Sequence, residues 1–160
     1  MNFILIGYTK NILKGKVWKM VLKHLGLVIV MGLFFSACSI KQKVQPINID
    51  LEEKKVCIIE NKAVKKGFLV AYKKALEEKK YKVEVLDKNT SLNSCKVSSE
   101  YTANWSWDLV VYMEFAEIKV FTDGKIVGEA VYDSRGGSAT MSKFIDAETK
   151  VKELVGELFP

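Results

Sequence analysis

The chain of 160 residues holds one histidine, two prolines and one arginine. The histidine, His24, falls within the first 37 residues, so the body that follows has no imidazole. That absence excludes Ser-His-Asp and Cys-His catalysis, and any histidine metal site, from residues 38–160. Acidic residues are missing from positions 1–37, which carry Lys10, Lys14, Lys16, Lys19 and Lys23. The formal charge of +6 therefore belongs mostly to the N-terminal segment. The body has 25 − 5 = 20 basic groups against 19 acidic ones, interspersed along the chain. A near-neutral body gives no electrostatic footprint for nucleic acid. Internal repeats at solenoid periods are absent, and no second domain is expected. The one glycine-rich turn beside a cation, Arg135-Gly136-Gly137, lacks the lysine and spacing of a phosphate-binding loop. No cofactor and no metal are expected.

What the chain does have is an address. Residues 25–37, LGLVIVMGLFFSA, form an almost purely apolar run after the lysines. The run is too short for a membrane span, which takes about 20 apolar residues. It fits the apolar core of an export signal, about 7–15 residues long. Phe35-Ser36-Ala37-Cys38 resembles the lipobox of bacterial lipoproteins, with Phe35 where leucine is usual. The resemblance implies cleavage before Cys38, a diacylglycerol thioether on its sulfur, and a further acyl chain on the new amine. One chain binds a membrane reversibly, whereas two or three hold it stably. Ser39 follows the cysteine, which by the same resemblance implies the inner leaflet of the outer membrane, facing the periplasm. Met20 begins a more ordinary signal and is the expected start of translation.

Two further cysteines, Cys57 and Cys95, remain in the body. In an oxidising compartment such a pair reads as a disulfide. Closing that loop stabilises a small domain by roughly 4 kcal/mol in the loop-entropy description. The alternative is a pair of free thiols, with Cys57 packing as a small hydrophobe in its apolar strand.

Along the body, 38–53 lacks a sustained apolar period and reads as a lipidated flexible tether to a single domain at 54–160. Val56-Cys57-Ile58-Ile59 is a buried-type strand. Residues 64–80 are helical, with Val64, Phe68, Tyr72, Ala75 and Leu76 on one stripe. Tyr81, Val83 and Val85 alternate in a second strand, parallel to the first. After a polar loop at 88–98 come strands around 101–107, 110–121 and 126–132. The last two are joined at Asp123-Gly124, a tight-hairpin signal. A C-terminal helix is expected over 141–158. The sum, βαβ then βββα, predicts an α/β (α+β) two-layer sandwich: a mixed sheet of about five strands with two helices on one face.

These segments resemble an uncharacterised family of small proteobacterial lipoproteins of outer-membrane type. The likeness is carried by Ser36-Ala37-Cys38, VCIIEN, GFLVAYKKALEEK, EYTANWSWD, AEIKVF, GKIVGEAVYDSRGG and KFIDAETKVKELVGELFP. It implies the lipoprotein class and adds no activity.

Tyr101, Trp105, Trp107, Tyr112, Phe115 and Phe121 form the most suggestive cluster. Trp105 and Trp107 share one face of their strand. Under the helices they are core; on the open sheet face they are a patch for a protein or glycan. Arg135 with its glycines is a candidate anion site. Glu114, Glu117, Glu129 and Asp133 offer carboxylates whose spacing singles out no acid–base pair. The leading expectation is a non-enzymatic, lipid-anchored module that binds an envelope protein. The alternative is a small-ligand or glycan binder, or a hydrolase, using carboxylates and Arg135 in a cleft. A Met20→Ala gene is expected to yield no protein by immunoblot; undiminished product would place the start at Met1.

Overall fold

The computed structural model describes residues 40–48, 54–136 and 141–160. Residues 1–37, expected to be an export signal, together with Cys38 and Gly137, lie outside the described residues. The elements are β1 (Lys41–Gln45), β2 (Lys55–Ile59), α1 (Lys66–Glu78), β3 (Lys82–Leu86), β4 (Ser98–Asp108), β5 (Val110–Thr122), β6 (Lys125–Asp133) and α2 (Ala147–Leu158). Short 3-10 turns occupy Leu92–Ser94 and Met141–Phe144.

The strands form one mixed sheet in the order β1-β6-β5-β4-β2-β3. β2 is parallel to both β3 and β4, and the remaining pairings are antiparallel. The two-layer α+β architecture expected from the sequence is thus the observed one. The Asp123-Gly124 hairpin has both residues at positive φ, at 52° and 72°. This is the conformation a two-residue turn needs to match the twist of its strands.

The core is one apolar cluster between the sheet and both helices. Phe68, Tyr72 and Leu76 of α1 and Val151, Leu154 and Leu158 of α2 bury against Tyr101, Ile118, Ala130 and Tyr132 of the sheet. Phe68 stacks on Tyr101 at 5.1 Å, and Tyr72 meets Tyr101 edge-on at 6.2 Å. The Tyr72 hydroxyl is buried and shares a 2.6 Å hydrogen bond with Ser99 Oγ. Burial pushes this phenol's pKa well above its ordinary value, so it remains a neutral partner. Lys74 bridges to Glu148 and Lys152 to Glu78, joining the two helices at their exposed edges. Cys57 and Cys95 are joined, tying the centre of β2 to the loop that follows β3.

Two expectations need correction. Residues 41–45, read as tether, form β1, a sixth strand paired with β6 from Lys41↔Asp133 to Gln45↔Glu129. Its sequence, KQKVQ, has no apolar alternation, because an edge strand needs only backbone partners and benefits from lysine. Gln42 Nε2 donates to Glu153 and Glu157, and Ile47 is buried with its N–H donating to the Leu158 carbonyl at 2.9 Å. The C-terminal helix is also shorter than 141–158. Asp146 caps it by accepting from the Thr149 N–H at 2.9 Å, so α2 starts at Ala147 after the Met141–Phe144 turn.

Just past the end of the β1–β6 pairing, Gly128 lets Ile47 and Leu158 reach the backbone. A Cβ at Gly128 would lie 2.5 Å from Ile47 Cγ2 and 3.1 Å from Leu158 Cδ1. Gly128→Ala is expected to destabilise the domain by about 1–3 kcal/mol through overpacking. Urea unfolding should show a lower midpoint; an unchanged midpoint would mean that β1 is not seated here.

Candidate functional site

Strand β5 is longer than its neighbour β6. It pairs with β6 only from Phe115↔Asp133 to Thr122↔Lys125, while Val110 to Met113 pair with β4 alone. The end of the β4–β5 hairpin therefore leaves the sheet as a two-stranded ribbon. A register shift between Asn104 and Trp105 leaves Glu114 as the extra residue on β5. Its carbonyl accepts from both the backbone N–H and the hydroxyl of Ser134. The bulge keeps Met113 buried on the same side as Ala116.

Trp105 and Trp107 do share a face, together with Tyr101 and Ala103, and it is the helix-covered one. The cover ends before the strand does. Tyr101 and Ala103 are buried, Trp105 is half-buried at the margin of the core, and Trp107 is 70% exposed. Lys65, just before α1, places its ammonium 5.0 Å from the centre of the Trp105 ring. Leu109, Val110, Val111 and Met141 are also exposed, Leu109 at 83%. Large apolar side chains grouped this way on a monomer mark a contact surface. Leu109 sits at φ 63°, where an L-residue costs roughly 1–2 kcal/mol and glycine would be free of strain. The turn thus holds a bulky apolar side chain outward at a conformational cost.

The charged side chain of the turn, Asp108, is paired. Asp108 accepts a 2.5 Å charged hydrogen bond from Lys143, whose side chain is nearly buried. The hydrogen bond to that carboxylate holds the Lys143 pKa above its ordinary value. Lys143 also lies 5.4 Å from the Tyr112 ring, and Phe144 meets Tyr112 edge-on at 5.4 Å. The Met141–Phe144 turn is thereby fixed beside the ribbon.

The other expected groups lie apart from the tip. Arg135 grips Asp133 with its Nε and Nη2, at 2.9 and 2.6 Å, and covers the Phe115 ring at 4.7 Å. The guanidinium holds the Asp133 carboxyl below its usual range. Arg135 is thus committed to an internal carboxylate. Phe121 is buried at the far end of the hairpin, and Glu117 and Glu129 lie 2.9 and 3.9 Å from Lys119 on the open sheet face. Two adjoining depressions of about 290 and 310 Å³ meet at Glu60, Asn61 and Tyr101. Neither includes Arg135 in its lining. Asn61 closes the bottom: its side-chain amide donates to the Tyr101 carbonyl, and its backbone N–H donates to the Tyr101 hydroxyl. Asn61 and the apolar residues 109–111 were not picked out by sequence reasoning. Three consecutive apolar residues after Asp108 were the available signal, and they read as ordinary strand.

No known family pattern and no curated relative matches this chain. Among solved structures, a PelC dodecamer from Paraburkholderia phytofirmans superposes with a TM-score of 0.54 at 9% identity, over 75% of this chain and 99% of that one. The chain shares the fold of PelC. A single-substitution variant of the same dodecamer superposes at 0.50, also at 9% identity, over 75% of this chain and 94% of that one. At this identity the likeness concerns the fold alone.

Acrylamide is expected to quench Trp107 emission strongly in detergent-free protein, and Trp105 weakly. Trp107→Phe should remove most of the quenchable signal; an unchanged quenching curve would place Trp107 in the core.

Proposed function

We propose that this protein is a lipid-anchored lipoprotein of the cell envelope that presents a non-enzymatic binding domain to the periplasm. The observation that carries the reading is the order of lysines, apolar run and Phe35-Ser36-Ala37-Cys38, followed within three residues by the first strand, at Lys41. A thiol so placed can take acyl chains while the domain folds immediately beside them. The Cys57–Cys95 bond supports it, because such bonds persist in oxidising compartments. The inner leaflet of the outer membrane is the proposed location, from Ser39.

The partner surface of this reading is the open sheet face. Glu100, Glu117, Lys119 and Glu129 lie there beside the depression at Asn61. A shallow surface lined by charges lacks the apolar enclosure of a small-molecule site. The ligand-binding or hydrolytic alternative draws less support, since Arg135 is engaged with Asp133.

In cells fed radiolabelled palmitate the protein is expected to carry label, and Cys38→Ser to abolish it and to leave the leader attached. A wild-type chain that stays unlabelled with its leader intact would refute the anchor. Envelope crosslinking that recovers no specific protein partner would refute the binding role.

A further inference from the structure

We propose that the tip of the β4–β5 hairpin is a second membrane-contact site, entering the phospholipid surface beside the lipidated N-terminus. The inference rests on the lipid-anchor reading above and adds an orientation to it.

Strand register supplies the geometry. Lys41 pairs with Asp133 from one side, and Phe115 pairs with Asp133 from the other. Since β1 and β5 are both antiparallel to β6, they run in the same direction. Upstream of Lys41 and upstream of Phe115, the chain therefore leaves the sheet at the same end. From the Asn104↔Phe115 pair to the Asp108↔Val110 pair is four rungs, since Glu114 bulges out, an advance of about 13 Å along the ribbon. From Lys41 back to Cys38 is three residues, which reach at most about 10 Å. When acyl chains on Cys38 are in the bilayer, the tip lies at least as far toward it as the anchored residue.

The chemistry of the tip fits that place. Trp107, Leu109, Val110 and Val111 are exposed apolar side chains at the leading end. Apolar groups of membrane-surface proteins bury about 5–10 Å into the headgroup and acyl boundary. The carboxylate at the tip, Asp108, is neutralised by Lys143. Trp105 pairs with Met113, three residues or about 10 Å below Val110, and carries Lys65 over its ring. A lysine at that level meets headgroup phosphates when the tip is in the boundary, and tryptophan is favoured there.

The test uses the full chain, expressed in a lipoprotein-processing host and reconstituted into phosphatidylethanolamine–phosphatidylglycerol vesicles with or without lipid brominated on its acyl chains. The difference between wild-type and Trp107→Phe spectra isolates Trp107. Brominated lipid is expected to remove most of the Trp107 emission, and acrylamide little of it. A protein that floats with vesicles and carries acyl chains by mass spectrometry, yet has Trp107 open to acrylamide and untouched by brominated lipid, overturns the tip contact and leaves the anchor standing. Trp107 shielded from both quenchers places another protein surface on the tip, a second copy included, and also overturns it. A protein without acyl chains that fails to float overturns the anchor, and the tip orientation with it.

Discussion

The ladder between β4 and β5 is the interaction on which the rest of the structure depends. It begins at Ser98, beside the Cys57 strand, and continues through one bulge, at Glu114, to Asp108 and Val110. Every other strand is attached to this pair. The parallel strands β2 and β3 join through β4, and β6 and β1 join through β5. Because no neighbour is as long as this hairpin, part of it must stand outside the sheet. Strand β5 is paired on both sides from Phe115 to Thr122 and packed under helices; from Val110 to Met113 it is paired with β4 alone and open to its surroundings. One continuous pair of strands thus supplies both core and contact surface, and the bulge at Glu114 marks the change from one to the other.

Much of this was legible in the sequence, and what was not has physical reasons. The helix stripe of Phe68, Tyr72 and Leu76, the Asp123-Gly124 turn and the shared face of Trp105 and Trp107 all follow from local periodicity, which depends on near neighbours. The seat of β1 does not. Lys41-Gln42-Lys43-Val44-Gln45 gains its place from backbone pairing with β6 and from Gln42 reaching Glu153 and Glu157, more than a hundred residues away. Where helix cover ends along β4 is equally non-local. Period-two reasoning put Trp105 and Trp107 on one face, and only the position of α1 makes the first half-buried and the second exposed. Arg135 was visible as a lone cation, but its two-residue distance from Asp133 makes an internal pair, a simpler outcome than an anion site.

The charged residues show a consistent division of labour. Pairs at the helix edges, such as Lys74 with Glu148, are exposed and contribute little to stability individually. The pairs that involve nearly buried lysines hold backbone elements in place. Lys143 holds the final turn against the ribbon through Asp108, and Lys150 links α2 to β1 through Gln42 while lying 5.1 Å from the Tyr132 ring. Both lysines hold the ammonium over an aromatic ring and at a polar partner, so a long cationic side chain is accommodated beside the core.

The hydrogen bond from Ile47 to Leu158 joins positions that are 158 − 47 = 111 residues apart. The first strand thus has no complete docking surface until the final helical turn exists. For a chain made from its N-terminus, such a topology defers closure to the end of synthesis. The segment that follows β1 gains this partner only once the last turn of α2 has been made.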